Sequence, residues 1–584
     1  MRSTRALLLA VAVTFALLAA GCTSAPVATG ETVTVATADA LRSSNAQTVA
    51  GNTPADVDVA YLTNSSFVYY NAKPKLVRNT SFGSYRVVSN SPLTVTYTVN
   101  SGVTWSDGTA VDAADMLLAW ASGRSRYNGT GVNFHSVDAG GGLDLVKAVP
   151  KISNDGRSIT LVYSKPFVDW RTAFEIGVPA HVTYRLAYPG TSPSDAKAAV
   201  ISAIQHDKTA VLAKIALAWS TGFELRSMPA NRELLVSDGA YTVTDFTSSG
   251  VTLSLNQNYS WGAKPSVSTI RVRFIPAAAD QATALATGSV DVVSAQASAE
   301  SVAALTALSG VTVTASVEST FEHVDLTFDN HGPFDAASYG GDRQRALAVR
   351  QAFLATIPRQ QILDTVVHPV DASAALDNSQ TFLPGAPGYA SSVANNGSAR
   401  YSKVDIPGAK ALLAAAGVRG PVTVRIAYSK DSARRVQEFA LIAASASQAG
   451  FTVVDGGAAG DNFVTALGTG SYDASIFSWQ FTGTEATASE AQLKSSANKS
   501  VGNYNGYSNA ATDRDWEKIE VTPARSAQIP LLQHIDANAW NDGYGVTLYQ
   551  FPDVTAVANR VHNVVNAPLS PSVFWNFWQW TASR

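Results

Sequence analysis

Between Pro421 and Trp479 strand-like and helix-like patterns alternate so regularly that few architectures remain open to the chain. Val422–Tyr428 reads as a strand. Ala433–Ala449 reads as a helix with Val436, Phe439, Ala440, Ala443 and Ser447 on one face. Phe451–Val454 is a second strand, Asn462–Leu467 a second helix and Tyr472–Trp479 a third strand. Right-handed crossovers in such a β-α-β-α-β run make its strands parallel, and open parallel sheets hold ligands at the carboxyl ends of their strands. That rule points to Ser429 and to the stretch from Ser478 to Thr482.

The first half is richer in strands. Alternating or β-rich runs occur at Leu93–Val99, Ser158–Tyr163, Ala240–Asp245, Val251–Leu255, Ile270–Ile275 and His323–Phe328. Ser106-Asp107-Gly108, Asn154-Asp155-Gly156 and Ser237-Asp238-Gly239 mark turns. Helices are expected at Ala113–Ser122, Asp280–Gly288, Arg343–Thr356 and Ile406–Ala416. Mixed this way, strands and helices imply α/β or α+β lobes. A body of about 550 residues divides into two or more of them.

The amino terminus is a processing signal rather than core. Arg2 and Arg5 precede an apolar stretch from Ala6 to Ala20, and Ala19, Ala20 and Gly21 lead into Cys22. A membrane-spanning helix needs roughly 20 apolar residues, so this stretch is short for a permanent span. Small residues immediately before a cysteine resemble the lipobox of bacterial lipoproteins, in which the thiol is acylated; Ala19 stands where that box usually has Leu. Cys22 is the only cysteine among 584 residues, so an internal disulfide is impossible. Residues 1–21 are read as the signal, 22–31 as a flexible tether, and the folded body begins near Thr32. Losing Arg2 and Arg5 leaves 40 basic against 45 acidic residues, a balance that argues against a nucleic-acid partner.

No catalytic constellation stands out. The sequence lacks a G-x-S-x-G elbow, a G-x-x-x-x-G-K-[ST] phosphate loop, H-E-x-x-H and an EF-hand loop. Its eight histidines are scattered; His323 and His331, the nearest pair, lie eight apart. Asp112 and Asp115 sit at a predicted helix start, where capping explains them. No metal site, cofactor or catalytic residue is assigned.

Several separated stretches carry a family likeness. They are Val103-Thr104-Trp105-Ser106-Asp107-Gly108-Thr109-Ala110-Val111-Asp112-Ala113-Ala114-Asp115, then Pro179-Ala180-His181-Val182, Ser237-Asp238-Gly239-Ala240-Tyr241 and Leu255-Asn256-Gln257-Asn258-Tyr259-Ser260-Trp261-Gly262-Ala263-Lys264-Pro265. Ala284-Leu285-Ala286-Thr287-Gly288-Ser289-Val290-Asp291-Val292-Val293, Val349-Arg350-Gln351-Ala352-Phe353 with Ile357-Pro358-Arg359-Gln360-Gln361-Ile362, and Ala409-Lys410-Ala411-Leu412-Leu413-Ala414-Ala415-Ala416-Gly417 follow. In this order they resemble the family 5 solute-binding proteins of ABC importers, the oligopeptide- and dipeptide-binding class. Most are fold markers rather than ligand contacts.

The resemblance implies an α/β fold: a two-lobed, periplasmic-binding-protein-like clamp of class II, large cluster, with mixed sheets, flanking helices and an extra subdomain. It places a discontinuous lobe I at residues 32–75, 179–335 and 536–584, the extra subdomain at 76–178 and lobe II at 336–535. It also implies a monomer that captures a small solute, by default an oligopeptide, by hinge closure at the membrane's outer face. Permease and ATPase subunits would be its partners, and a lipid on Cys22 its anchor; family members also take sugars, nickel chelates, opines and heme. The rival class is an exported hydrolase or a surface sensor on the same fold.

In peptide-binding members an aspartate three residues after a strand-ending Trp pairs with the peptide's α-amino group. Trp479 matches that Trp, Thr482 stands at the aspartate's place, and Glu485 is the nearby acid that can substitute, or else a solvated loop residue. Trp479 and Phe481 are candidates for stacking on a ligand or for packing between lobes. Ser429, Gln480 and Thr482 are candidate hydrogen-bonding partners. The aromatic run Phe574-Trp575-Asn576-Phe577-Trp578-Gln579-Trp580 is expected to dock on its parent lobe.

Overall fold

Val422–Ala427 pairs in parallel with Phe451–Asp455 on one side and with Ala474–Gln480 on the other, as the alternation between Pro421 and Trp479 requires. Helices Ala433–Ser447 and Asp461–Thr469 make the crossovers. This computed structural model describes residues 31–481, 483–495 and 502–583; Cys22 and Thr482 lie outside them.

The crossover helix presents a different face from the one its apolar residues suggest. Glu438, Ile442, Ser445 and Ala446 are buried, while Val436 is 41% exposed. The inward face is displaced by one residue, roughly 100° of rotation. The rotation brings Glu438 to the hydroxyl of Tyr549, which donates to it, and a buried carboxylate with a partner outweighs one exposed valine.

The three parallel strands end one side of a ten-stranded mixed sheet. Its order is Phe451–Asp455, Val422–Ala427, Ala474–Gln480, Val311–Leu326, Gly545–Ala558, Val292–Gln296, Glu31–Thr37, Val267–Phe274, Gly250–Leu255 and Tyr241–Thr247. Two strands are long enough to belong to both ends. Val311–Leu326 and Gly545–Ala558 run antiparallel over their lengths, and their register breaks between Val317 and Phe321. Before the break, Val311–Val317 pairs with Pro552–Ala558 beside the Val292–Gln296 strand; beyond it, Phe321–Asp325 pairs with Gly545–Gln550 and with Ala474–Gln480. The sheet therefore joins two lobes through one pair of strands that lacks regular pairing at its middle.

Each lobe has its own core. Around the first-lobe strands Val33, Val35, Tyr241, Leu253 and Ile270 pack with Phe574, Phe577 and Trp580. The carboxyl-terminal aromatic run thus docks on its parent lobe, in a 3-10 helix at Ser572–Gln579. In the second lobe Val324, Phe353, Val424, Ile442, Ile476 and Trp540 form the core. A separate antiparallel sheet, in the order Gly83–Asn90, Leu93–Val99, Ser158–Val162 and Lys151–Ile152, packs with helix Ala113–Ser122 around Trp105 and Trp120. Strict alternation in Leu93–Val99 turns Leu93, Val95, Tyr97 and Val99 inward.

The sequence blocks of the first half converge on one node. Asp112 caps Ala113–Ser122 by accepting from Ala114 N at 2.9 Å, and Asp115 accepts from Asp112 N at 3.0 Å. Asp115 also accepts from Ala180 N at 2.8 Å and meets Lys197 Nζ at 3.0 Å. Asp107 Oδ2 lies 2.8 Å from His181 Nε2, so the W-S-D-G and P-A-H-V stretches touch. Burial raises the Asp107 acid, but its bonds to His181 and to Thr109 N prevail and hold it down at about 2. Ser106 N donates to Ser237 O at 2.7 Å, which adds the S-D-G block. These residues fix how the small sheet sits on the first lobe.

At Gly239 the node leaves no room for a side chain. A Cβ there would lie 2.4 Å from Thr63 C and 2.6 Å from Asn64 N, both backbone atoms. Gly239→Ala should therefore destabilise the chain by about 1–3 kcal/mol, read as a lowered thermal midpoint. An unchanged midpoint would mean that this approach is looser than described.

Candidate functional site

The strand Ala474–Gln480 lies third from one edge of the sheet, beside the second-lobe half of Val311–Leu326. Register sets Glu322 opposite Ser478 and Tyr549, and Phe321 opposite Trp479 and Gln550. Residues directly opposite in an antiparallel pair share a face, so Glu322, Ser478 and Tyr549 face one way, and Phe321 and Trp479 the other.

On the aromatic face Phe481 packs against Phe321. Its ring stacks on Phe321 at 5.7 Å and 28°, and it is 6% exposed. Its carbonyl accepts from Ser319 Oγ at 2.7 Å. Leu569, Tyr70, Leu383 and Ala488 complete this cluster, which draws on both lobes beside the break in the long strands. Trp479 is half-buried and packs against this cluster and against a second one around Phe463 and Phe477.

Glu485 is held across the cleft. Tyr70 OH donates to Glu485 Oε1 at 2.8 Å and accepts from Thr484 N at 3.3 Å. Among the described residues no cation pairs with the Glu485 carboxylate. The Tyr70 hydroxyl is raised above its ordinary value by burial and then by the charge of Glu485. Next in sequence, Asp169 accepts from Ala486 N at 3.1 Å, Thr487 N at 3.0 Å and Thr487 Oγ1 at 2.8 Å. Lys165 Nζ meets Glu520 at 2.8 Å, and Val168 N donates to Glu520 O at 2.7 Å. Tyr70, Lys165, Val168 and Asp169 thus grip the second lobe from the first-lobe side. Between these contacts lies a cavity of about 550 Å³, walled by residues 137–145, Phe167 and Ala173 on one side and by Thr487, Glu490, Lys494 and Glu520 on the other.

Ser429 takes a separate place. Its residue bridges to Ala458 beyond the end of Val422–Ala427, and its carbonyl accepts from Ser432 N at 3.3 Å beside the amino end of Ala433–Ser447. No hydrogen bond among the described residues joins it to Trp479–Glu485. For Gln480 the structure gives the backbone, which pairs with Thr320 at the strand's end.

Sequence reasoning missed the charged cluster on the opposite face. Glu322 is fully buried and bonds both Arg434 Nη1 and, at 3.0 Å, Arg435 Nε. Arg434 Nη1 also donates to Tyr549 OH at 2.9 Å and lies 3.7 Å from Glu438. Arg435 Nη2 donates to Ser478 Oγ at 3.0 Å. Burial pushes the Glu322 acid up, but the two arginines reverse this and hold it below its usual value. Glu438 goes the other way, pushed up to about 8 by burial and then by Glu322. One signal was available: two arginines in the first turn of a helix oppose its dipole, so they need partners from elsewhere.

Comparison with known proteins follows the same outline. The family described as bacterial extracellular solute-binding proteins, family 5 Middle, matches residues 72–500. The chain belongs to this family. An uncharacterized lipoprotein of Mycobacterium tuberculosis is 24% identical to this family 5 protein over 559 residues, 93% of this chain and 92% of the relative. Among solved structures, the periplasmic EDTA-binding protein EppA superposes with a TM-score of 0.78 at 20% identity, covering 95% of this chain and 97% of its own. The oligopeptide-binding protein AppA of Bacillus subtilis, solved in complex with a nonapeptide, gives 0.72 at 13% identity, covering 95% and 99%. These likenesses establish the two-lobed fold. Like its family, this chain is an extracytoplasmic solute-binding protein of the ABC importer class, not a member of an enzyme family.

Proposed function

We propose that the chain captures an oligopeptide, or a related small solute, between its two lobes by hinge closure and hands it to a membrane permease driven by an ATPase. The observation that carries this reading is the pair of long strands that joins the lobes and loses its register between Val317 and Phe321. A short stretch where two long strands lose their mutual pairing, followed by a second register shift between Glu322 and His323, is where φ and ψ can absorb a rotation at low cost. Closure is favoured when a ligand touches both lobes, because only then does binding shift the open and closed populations. The cavity between residues 137–145 and the Thr487–Ser495 stretch is of a size that suits a small solute.

Within the cleft the proposed anionic anchor is Glu485, in place of the acid absent at Thr482. Support comes from its position: half-buried, bonded by Tyr70 and paired with no cation among the described residues. A ligand's ammonium group needs such a counter-charge to offset its desolvation. Trp479 is proposed to lie beside the ligand, with Gln480, Thr482 and Ser429 as further polar partners. Phe481, packed on Phe321, supports the wall instead of touching the solute.

The proposed division of the chain keeps lobe I at 32–75, 179–335 and 536–584, the extra subdomain at 76–178 and lobe II at 336–535, with the stretches around Val324 and from Trp540 to Leu548 going over to the second-lobe core. Export and a lipid on Cys22 complete the reading, in keeping with the lipoprotein relatives in mycobacteria. Mass spectrometry of small molecules released by denaturing the purified protein tests the substrate class. Peptides are expected; a consistently recovered non-peptide solute would replace them. Turnover of a peptide or glycoside substrate would sink the capture reading altogether.

A further inference from the structure

A second cavity, of about 200 Å³, lies wholly within the first-lobe side of the molecule. Its lining comes from residues 60–81, Glu175, Ala240, the 259–263 loop, Phe577 and Trp578, and none of it from the second lobe. It is therefore separate from the interlobe cleft.

Aromatic rings dominate its wall. Tyr69 meets Trp578 edge to face at 5.4 Å and 76°, Phe577 meets Trp578 at 5.2 Å and 82°, and Tyr61 meets Phe577 at 6.0 Å and 86°. Rings set nearly at right angles form corners rather than a stack, and Tyr259 adds a further ring to the lining. The Tyr61 hydroxyl is committed to Trp575 O at 2.9 Å, which fixes that ring.

One ionisable acid opens into this space. Glu175 lines the cavity, and among the described residues its carboxylate meets neither a hydrogen-bond donor nor a cation. Solvent reaches it, yet the surrounding protein, and then the charge of Asp138, push it up to about 7. No lysine or arginine lines the cavity. Behind Ser65 and Ala240 lies Asp238, fully buried, with one carboxylate oxygen accepting from Ser65 N at 2.9 Å and the other without a partner.

We propose that this cavity binds a small organic cation, an alkylammonium ion, with its charge against Glu175 and its carbon substituents against Tyr69, Tyr259 and Trp578. Aromatic faces carry negative potential and attract cations that shed water easily. An unpaired carboxylate in a protein-lined space is stabilised by an opposite charge. The volume holds a compact ion and excludes an extended chain. A neutral apolar guest would bury the same ring surface but would make no ion pair with Glu175.

The test uses the purified full chain with choline as the probe and 3,3-dimethylbutan-1-ol as its uncharged isostere, followed by calorimetry at fixed ionic strength. Saturable binding of one choline per chain is expected, with the isostere at least about tenfold weaker. Glu175→Gln should weaken choline by about tenfold or more, and Tyr69→Leu by about fivefold. Far-UV circular dichroism checks that each variant folds, and two substitutions at different walls keep the test decisive if one does not. A peptide that occupies the interlobe cleft should leave choline affinity unchanged. Absence of saturable binding, equal affinity for the isostere, indifference to both substitutions or competition by the peptide would each overturn the proposal. None of these outcomes bears on whether the lobes close on a peptide.

Discussion

Replacing Arg434 by methionine should cost the folded chain about 3–5 kcal/mol, the penalty for breaking a buried ion-pair cluster by removing one of its charges. Methionine keeps much of the side chain's length, so the loss reflects charge and hydrogen bonds rather than an emptied volume. The guanidinium bonds the fully buried Glu322, donates to Tyr549 and lies 4.0 Å from the centre of the Phe551 ring. Without it, Glu322 retains Arg435 alone, and Glu438 loses the only cation within 4 Å among the described residues. Arg434→Lys retains the charge but not the planar fork, so its loss should be smaller. Urea titration at neutral pH, followed by tryptophan fluorescence, reads both. A loss under about 1 kcal/mol for the methionine variant would show that the cluster is better hydrated than its burial implies.

Glu485→Gln should weaken binding of a peptide recovered from the protein by about tenfold or more, because a hydrogen bond to a charged group is worth about 1.5–3 kcal/mol. The shape of the side chain and its bond from Tyr70 are largely preserved, so the change isolates the charge. Tyr70→Phe is the informative companion. It removes a hydroxyl that spans the lobes at 2.8 Å while leaving the carboxylate in place, so it should affect closure more than recognition of an ammonium group. Calorimetry gives affinity, and small-angle scattering with and without peptide gives closure. Unchanged affinity in the glutamine variant would remove Glu485 from the site.

Much of the fold was legible because local pattern and tertiary need coincide. Leu93–Val99 alternates cleanly since one face of its sheet is buried and the other is not. Asp112 announces the helix that follows by its capping geometry. The parallel run from Val422 to Gln480 follows from crossover handedness, which any chain of L-residues obeys. The crossover helix Ala433–Ser447 was misread for the opposite reason: its apolar residues suggested one face, but a buried carboxylate decided another. Glu322 and Glu438 are 116 residues apart and meet through Arg434, a pairing that no local periodicity contains. In the cleft, sequence order located Trp479 and Glu485, whereas the partners that grip this segment, Tyr70 and Asp169, come from more than 300 residues earlier.

The strand Gly545–Ala558 sits in the interior of the ten-stranded sheet, between Val292–Gln296 and Val311–Leu326. Synthesis proceeds at about 5–20 residues per second, so this strand emerges many seconds after its neighbours. Until it arrives, both neighbours present raw edges and neither lobe can complete its half of the ladder. Translocation machinery that threads an extended polypeptide needs its cargo to stay unfinished until late. Because its central strand is made long after both neighbours, the ladder that joins the lobes stays open until Gly545–Ala558 has been made.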